Sequence, residues 1–129
     1  MDKENQPVIL VVEENDDNRQ LVHKVLGSRG YNIVGVVDGQ EALSKLANLN
    51  PDLILMDINL PGMDGYEVTR RIRQQEKFAD LPIVALTAHA MAGDEEKSLA
   101  AGCDAYITKP INARTFPDSI AAILKEYQP

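Results

Sequence analysis

Residues 52–65 read DLILMDINLPGMDG. The run Leu53-Ile54-Leu55-Met56 has no polar member. A strand with one wet face alternates apolar and polar residues, so an unbroken run is expected of a strand covered on both faces. Asp57 follows it directly. Leu60-Pro61-Gly62-Met63 then reads as a tight turn, in which proline fixes one torsion and glycine permits the next. Asp64 and Glu67 have the spacing of a capping box, with aspartate in the place of Ser or Thr, and open a helix carrying Val68 and Ile72. A buried strand, a turn and an amphipathic helix in this order form the unit from which parallel α/β sheets are built.

The unit recurs on both sides of this stretch. Toward the amino terminus, Val8 to Val12 is another unbroken apolar run, followed by helical spacing of Leu21, Val22, Val25 and Leu26 from about Asp17 to Ser28. Gly30 suits the left-handed turn after that helix. Ile33 to Val37 reads as a strand, and Ala42, Leu43, Leu46 and Ala47 as a helical face that Asn50-Pro51 ends, because a residue before proline avoids the helical region. Toward the carboxyl terminus, Pro82 to Leu86 and Ala105 to Thr108 read as strands. Between them, residues 90–101 offer only Met91 and Leu99 as large apolar residues, with Gly93 near the start, so this helix is expected to be weakly anchored. The last helix carries Phe116, Ile120, Ile123, Leu124 and Tyr127 on one face. Thr115 is preferred to Asn112 as its cap, because Pro117 then falls in the first turn, where proline costs little. Five βα units predict one α/β domain, residues 1–129, with a parallel five-stranded sheet between helices joined by right-handed crossovers.

The chain has 129 residues, 13 basic and 20 acidic, for a net charge of −7. That surface repels phosphate backbones and anionic lipid, which argues against nucleic-acid and membrane partners. Its 1 cysteine, Cys103, has no internal partner for a disulfide and fits a reducing compartment. Met1 to Gln6 lacks the apolar core of a signal peptide, and Val8 to Val12 is too short to span a bilayer. A cytoplasmic protein is expected.

Ligands of an open parallel sheet bind beyond the carboxyl ends of its strands. After the first strand come Glu13 and Glu14, after the third Asp57, after the fourth Thr87, and after the fifth Lys109 and Pro110. The second is followed by Asp38 and Gly39, an ordinary turn and cap. Each polar residue alone is better explained as a loop residue or cap; their coincidence at strand ends is the signal. No glycine-rich phosphate cradle follows the first strand, where the loop Glu13-Glu14-Asn15-Asp16-Asp17 repels phosphate, so nucleotide and flavin sites are excluded.

Three of these segments, DLILMDINLPGMDG, ALTA at Ala85 to Ala88 and YITKP at Tyr106 to Pro110, closely resemble the receiver domain of two-component response regulators and hybrid histidine kinases. The resemblance runs from about Val8 to Leu124. It implies a flavodoxin-like (βα)5 three-layer sandwich with strand order 2-1-3-4-5, which brings the polar groups to one rim. Clustered carboxylates there repel one another and are offset by a cation, and oxygen-only ligands suit Mg²⁺. The resemblance makes Asp57 the phosphoacceptor, served by a sensor histidine kinase or histidine phosphotransfer protein. It gives Glu13, Glu14, Asp57 and the main-chain carbonyl of Asn59 to Mg²⁺. It makes Thr87 the hydroxyl that turns toward the phosphoryl group, Lys109 its cationic partner, and Tyr106 the aromatic that swings inward. It also implies a cis peptide before Pro110. The output surface toward a downstream effector protein is then the fourth helix, fifth strand and fifth helix. Such a protein is a switch that assists its own phosphorylation and dephosphorylation, not an enzyme with an external substrate.

Glu14 departs from the usual Asp of this family, and its extra methylene meets a metal that demands near-ideal geometry. The alternative is therefore a phosphorylation-independent pseudo-receiver. A phosphohydrolase acting through an aspartyl-phosphate is a third class, but Asn59 stands where such enzymes commonly carry a second Asp. His89 is placed near the rim. His23 and the basic cluster Arg70, Arg71, Arg73 and Lys77 read as solvated surface, and Cys103 as a buried small residue.

Overall fold

The computed structural model describes residues 6–88 and 94–127, the side chains of Asp94 and Tyr127 excepted. The strands are β1 (Val8–Val12), β2 (Asn32–Val36), β3 (Leu53–Asp57), β4 (Ile83–Thr87) and β5 (Ala105–Thr108). All pair in parallel in the order β2-β1-β3-β4-β5, as the resemblance implies. The helices are α1 (Asp16–Gly27), α2 (Gly39–Leu46), α3 (Gly65–Arg73), α4 (Asp94–Ala101) and α5 (Phe116–Tyr127).

Successive residues of a strand face opposite sides of the sheet, and here both sides are dry. Leu10, Val12, Ile54, Met56, Ile83 and Ala85 meet Ala42 and Leu46 of α2 and Val68 and Ile72 of α3. Ile9, Val11, Leu53, Leu55, Val84 and Leu86 meet Val22 and Leu26 of α1 and Phe116, Ile120 and Leu124 of α5. The unbroken apolar runs are explained by these two half-cores. No helix among the described residues is long and apolar enough to cross a membrane.

Local chemistry sets the element ends. Asn15, Asp38 and Asp64 each accept the amide N–H three residues on, opening α1, α2 and α3. For Asp64 the acceptor pairs with the Glu67 amide, the half of the capping box that the spacing predicts. Gly62 has φ 74° and Gly30 φ 91°, the left-handed backbone expected at both turns. α5 begins at Phe116, so Pro117 lies in its first turn, while Asn112 organises the preceding turn through the Arg114 amide.

Several expectations are corrected. α1 and β2 each begin and end one residue earlier than the spacing suggests. α2 stops at Leu46, short of Asn50-Pro51, because the Ala47 and Asn48 amides bond back to Ser44 and Lys45. β3 and β4 run one residue further, so Asp57 and Thr87 are strand residues. A 3-10 turn, Glu76–Phe78, follows α3. Leu99 lies exposed on α4, whose buried residues include Ser98 and Ala101. His89, Met91 and Gly93 lie outside the described residues.

The basic cluster on α3 divides. Arg70 and Arg71 are exposed and pair with Glu67. Lys77 lies over the Phe78 ring at 4.8 Å. Arg73 is instead largely buried. Its guanidinium donates to the carbonyls of Gly102 (2.9 Å), Phe78 (2.8 Å), Leu81 (2.6 Å) and Ala79 (3.3 Å), and to Asp104 (2.8 Å).

Candidate functional site

In the sheet Val12 pairs with Met56 and Asp57 with Leu86, so β1, β3 and β4 end in steps of one residue, and the site lies on the rim they share with the turn after β5. Asp57 is the last residue of β3 and is 3% exposed. The ladder reaches one residue past it, where the Ile58 amide bonds to the Leu86 carbonyl, and the Asn59 amide then donates to Asp57 Oδ1 at 3.1 Å. Gly65, at the start of α3, packs so close that a Cβ there would sit 2.3 Å from the Asp57 carbonyl oxygen. That approach, which the sequence reading missed, seats the α3 amino terminus against the end of β3. Its signal was the second glycine of the GMDG run.

Glu13 follows β1 and is held from several directions. Its amide donates to the Val36 carbonyl at 3.0 Å, and its Oε2 accepts the Asn15 amide at 3.2 Å. Its Oε1 meets the Lys109 ammonium at 2.6 Å, an ion pair whose angles fall short of a hydrogen bond. The same ammonium lies 3.4 Å from Asp57 Oδ1. Lys109 is placed by its amide, which donates to the Thr87 carbonyl at 2.7 Å, and the Lys109–Pro110 peptide is cis, as the resemblance implies. Thr87 is buried at the end of β4, and Tyr106 on β5 is half-buried against the α2–α3 side of the core.

The structure thus brings Glu13, Asp57 and Lys109 into contact, with Asn59 and Thr87 around them. Glu14 is different: its side chain is exposed, and no three acidic, histidine or cysteine side chains converge among the described residues. Its neighbour Glu13 is turned inward, as alternation along an extended chain requires.

Burial raises the Glu13 carboxyl above its ordinary value, and the neighbouring Asp57 carboxylate raises it further; the Lys109 ammonium and the Asn15 amide oppose this without overcoming it. An acid raised in the folded state binds its proton more tightly there than in the unfolded chain. Its stabilising contribution is full below the ordinary value of 4.5 and is lost as pH rises through the folded value. Charged Glu13 therefore costs stability at neutral pH. Glu13→Gln is expected to raise the unfolding midpoint at pH 7.5 in a chelating buffer. The gain should shrink toward pH 4, which thermal scans across pH will show.

The donor set at this rim is oxygen alone, two buried carboxylates with main-chain carbonyls, and Mg²⁺ ordinarily takes one or two carboxylates together with waters and a phosphate oxygen. Glu13 Oε1 has no aligned hydrogen-bond donor. The residues present fit such an ion.

A doubly wound parallel sheet with a buried acid pair and a lysine at its carboxyl edge defines a class of signalling domain. A family model for the response regulator receiver domain matches residues 9–121. The polar-differentiation response regulator DivK of Brucella ovis is 40% identical over 116 residues, 90% of this chain and 94% of that protein. The receiver domain of the sensor histidine kinase PA1611 of Pseudomonas aeruginosa, solved with a magnesium ion coordinated in its active-site cleft, is 39% identical, with TM-score 0.82 over 95% of this chain and 97% of that one. The chemotaxis response regulator CheY4 of Vibrio cholerae is 28% identical, with TM-score 0.88 over 92% and 99%. The chain belongs to the response regulator receiver domain family. It is a receiver of two-component phosphorelay signalling.

Proposed function

We propose that Asp57 accepts the phosphoryl group from a phosphohistidine of a sensor kinase or histidine phosphotransfer partner. One observation carries this: the buried Asp57 carboxylate shares the Lys109 ammonium with Glu13, at 3.4 Å and 2.6 Å. An Asp57 oxygen attacks phosphorus, the P–N bond breaks, its electron pair stays on the imidazole, and an acyl phosphate remains. Lys109 stabilises the charge spread over the transferring oxygens. The Asn59 amide orients the carboxylate, and the Thr87 hydroxyl serves as a neutral donor to the product. Glu13, Asp57 and the Asn59 carbonyl are the residues to hold Mg²⁺, which when bound neutralises the acids and the incoming phosphate oxygens. Glu14 contributes from the entrance, through water or by charge alone.

Phosphorylation adds negative charge at the β3 end, drawing in Thr87 and letting Tyr106 follow. α4 packs against α3 and β5, so the α4–β5–α5 face is the surface on which a downstream protein reads the change.

The test is incubation with Mg²⁺ and a small acyl phosphate, followed by intact mass. A gain of one phosphoryl group per chain is expected; no gain in wild type, with a gain in Glu14→Asp, would instead make this chain a phosphorylation-independent module. Glu14→Gln should weaken Mg²⁺ binding by no more than about fivefold, the range of an exposed charge. Glu13→Gln, which removes a proposed ligand, should weaken it by more than the roughly tenfold that loss of a ligand's outer support costs. Amide shifts followed through a Mg²⁺ titration give both values.

A further inference from the structure

The segment from the end of β1 into the first turn of α1 places four carboxylates, Glu13, Glu14, Asp16 and Asp17, within five residues. Their repulsion favours splaying, yet Glu13 is held inward at 1% exposure. Besides Lys109 on the Glu13 carboxylate, a second cation sits against this segment. Arg19 of α1 donates from Nη1 to the Glu13 carbonyl at 2.8 Å and to the Glu14 carbonyl at 3.3 Å, and its Nη2 pairs with the Asp16 carboxylate. Its stem lies across β2 at Gly35, where a Cβ would meet Arg19 Cδ at 3.0 Å and Cγ at 3.3 Å. The absent side chain at Gly35 is the groove in which the arginine lies.

We propose that Arg19 is a positioning residue for the metal-binding acid. Resting on the function proposed above, it acts through the Glu13 and Glu14 main chain and touches neither phosphoryl group nor cation. With the Glu13 amide on Val36 and its carbonyl on Arg19, the peptide planes on both sides of Glu13 are fixed, and its carboxylate is aimed at Lys109 and Asp57. A planar guanidinium can grip two carbonyls and a carboxylate at once; an ammonium cannot reproduce that fork.

The sign of the effect separates positioning from plain charge. A cation near a Mg²⁺ site repels Mg²⁺, so on charge alone Arg19→Gln binds the ion more tightly. Positioning requires the reverse. The full chain is titrated with MgCl₂ while the amides of Glu13, Asp57 and Asn59 are followed, for wild type, Arg19→Gln, Arg19→Lys and Gly35→Ala. We expect binding about tenfold weaker in Arg19→Gln, the magnitude typical of lost support for a metal ligand. Arg19→Lys should recover only part of the loss. Gly35→Ala, which keeps every charge and displaces the stem, should weaken binding as well, and it carries the test if Arg19→Gln does not fold. Affinity unchanged or tighter in Arg19→Gln, even with a lowered unfolding midpoint, overturns the proposal. Wild type that binds no Mg²⁺ overturns the proposed function and this inference together, whereas normal wild-type binding with unaffected variants overturns this inference alone.

Discussion

Asp57→Asn is expected to take up no phosphoryl group under conditions in which wild type gains one per chain. The amide keeps the size of the carboxylate, and its carbonyl oxygen can still accept the Asn59 amide, so the turn after β3 stays in place. It loses the negative charge and the nucleophilic oxygen pair, because the amide lone pair is delocalised. Loss of a nucleophile costs at least about a thousandfold in rate, which here means background. Lys109 then faces Glu13 alone. One acid of a buried pair is removed, so the unfolding midpoint in chelating buffer should hold or rise, which separates lost chemistry from lost fold. Intact mass after acyl-phosphate treatment checks the first point and a thermal scan the second. Asp52 provides no substitute acceptor: it binds the Val8 amide at 2.7 Å, at the opposite end of the sheet. Labelling of Asp57→Asn at wild-type stoichiometry would place the acceptor elsewhere.

What the sequence reveals of this site and what it hides differ in physical origin. Strand interiors are legible where a strand buried on both faces has no room for a polar residue, as in β1, β3 and β4; the edge strands β2 and β5 are only partly buried and are read from short β-rich runs between helical stretches. Last strand residues are less legible: Asp57 and Thr87 are polar, yet the Ile58 and Lys109 amides continue the ladder past them. The tandem Glu13-Glu14 looks like a matched pair, but adjacent extended residues face opposite ways, and only Glu13 turns inward. Arg19 was passed over because its role depends on Gly35, remote in sequence and next to it in space. Leu99 carried a helical expectation that α4 does not meet, since Ser98 and Ala101 supply the buried face.

Arg73 is the largest such omission, and Arg73→Ala is expected to be the most destabilising substitution outside the apolar core. Charge spacing on α3 made it one of a solvated group, as it is for Arg70 and Arg71. In the fold, Arg73 binds the connection into β4 through Leu81 and the connection into β5 through Gly102 and Asp104. Asp104 in turn accepts the Ile83 amide at 2.9 Å, so a single guanidinium ties α3 to the entries of two neighbouring strands. Alanine leaves the Phe78, Leu81 and Gly102 carbonyls without this donor, and a half-buried carboxylate without its cation. Breaking such a pair costs about 3–5 kcal/mol when fully buried; with side chains 17% and 24% exposed, about 3 kcal/mol is appropriate. The unfolding midpoint should fall by roughly 10 °C for a domain of this length. Arg73→Lys should recover little, because an ammonium cannot span these acceptors. A midpoint within about 2 °C of wild type would show that water replaces the guanidinium at little cost. Arg73 lies at the strand entries and Asp57 at the exits, so below its lowered midpoint Arg73→Ala should still gain one phosphoryl group. Retained uptake beside a depressed midpoint is the combination that a purely scaffolding arginine requires.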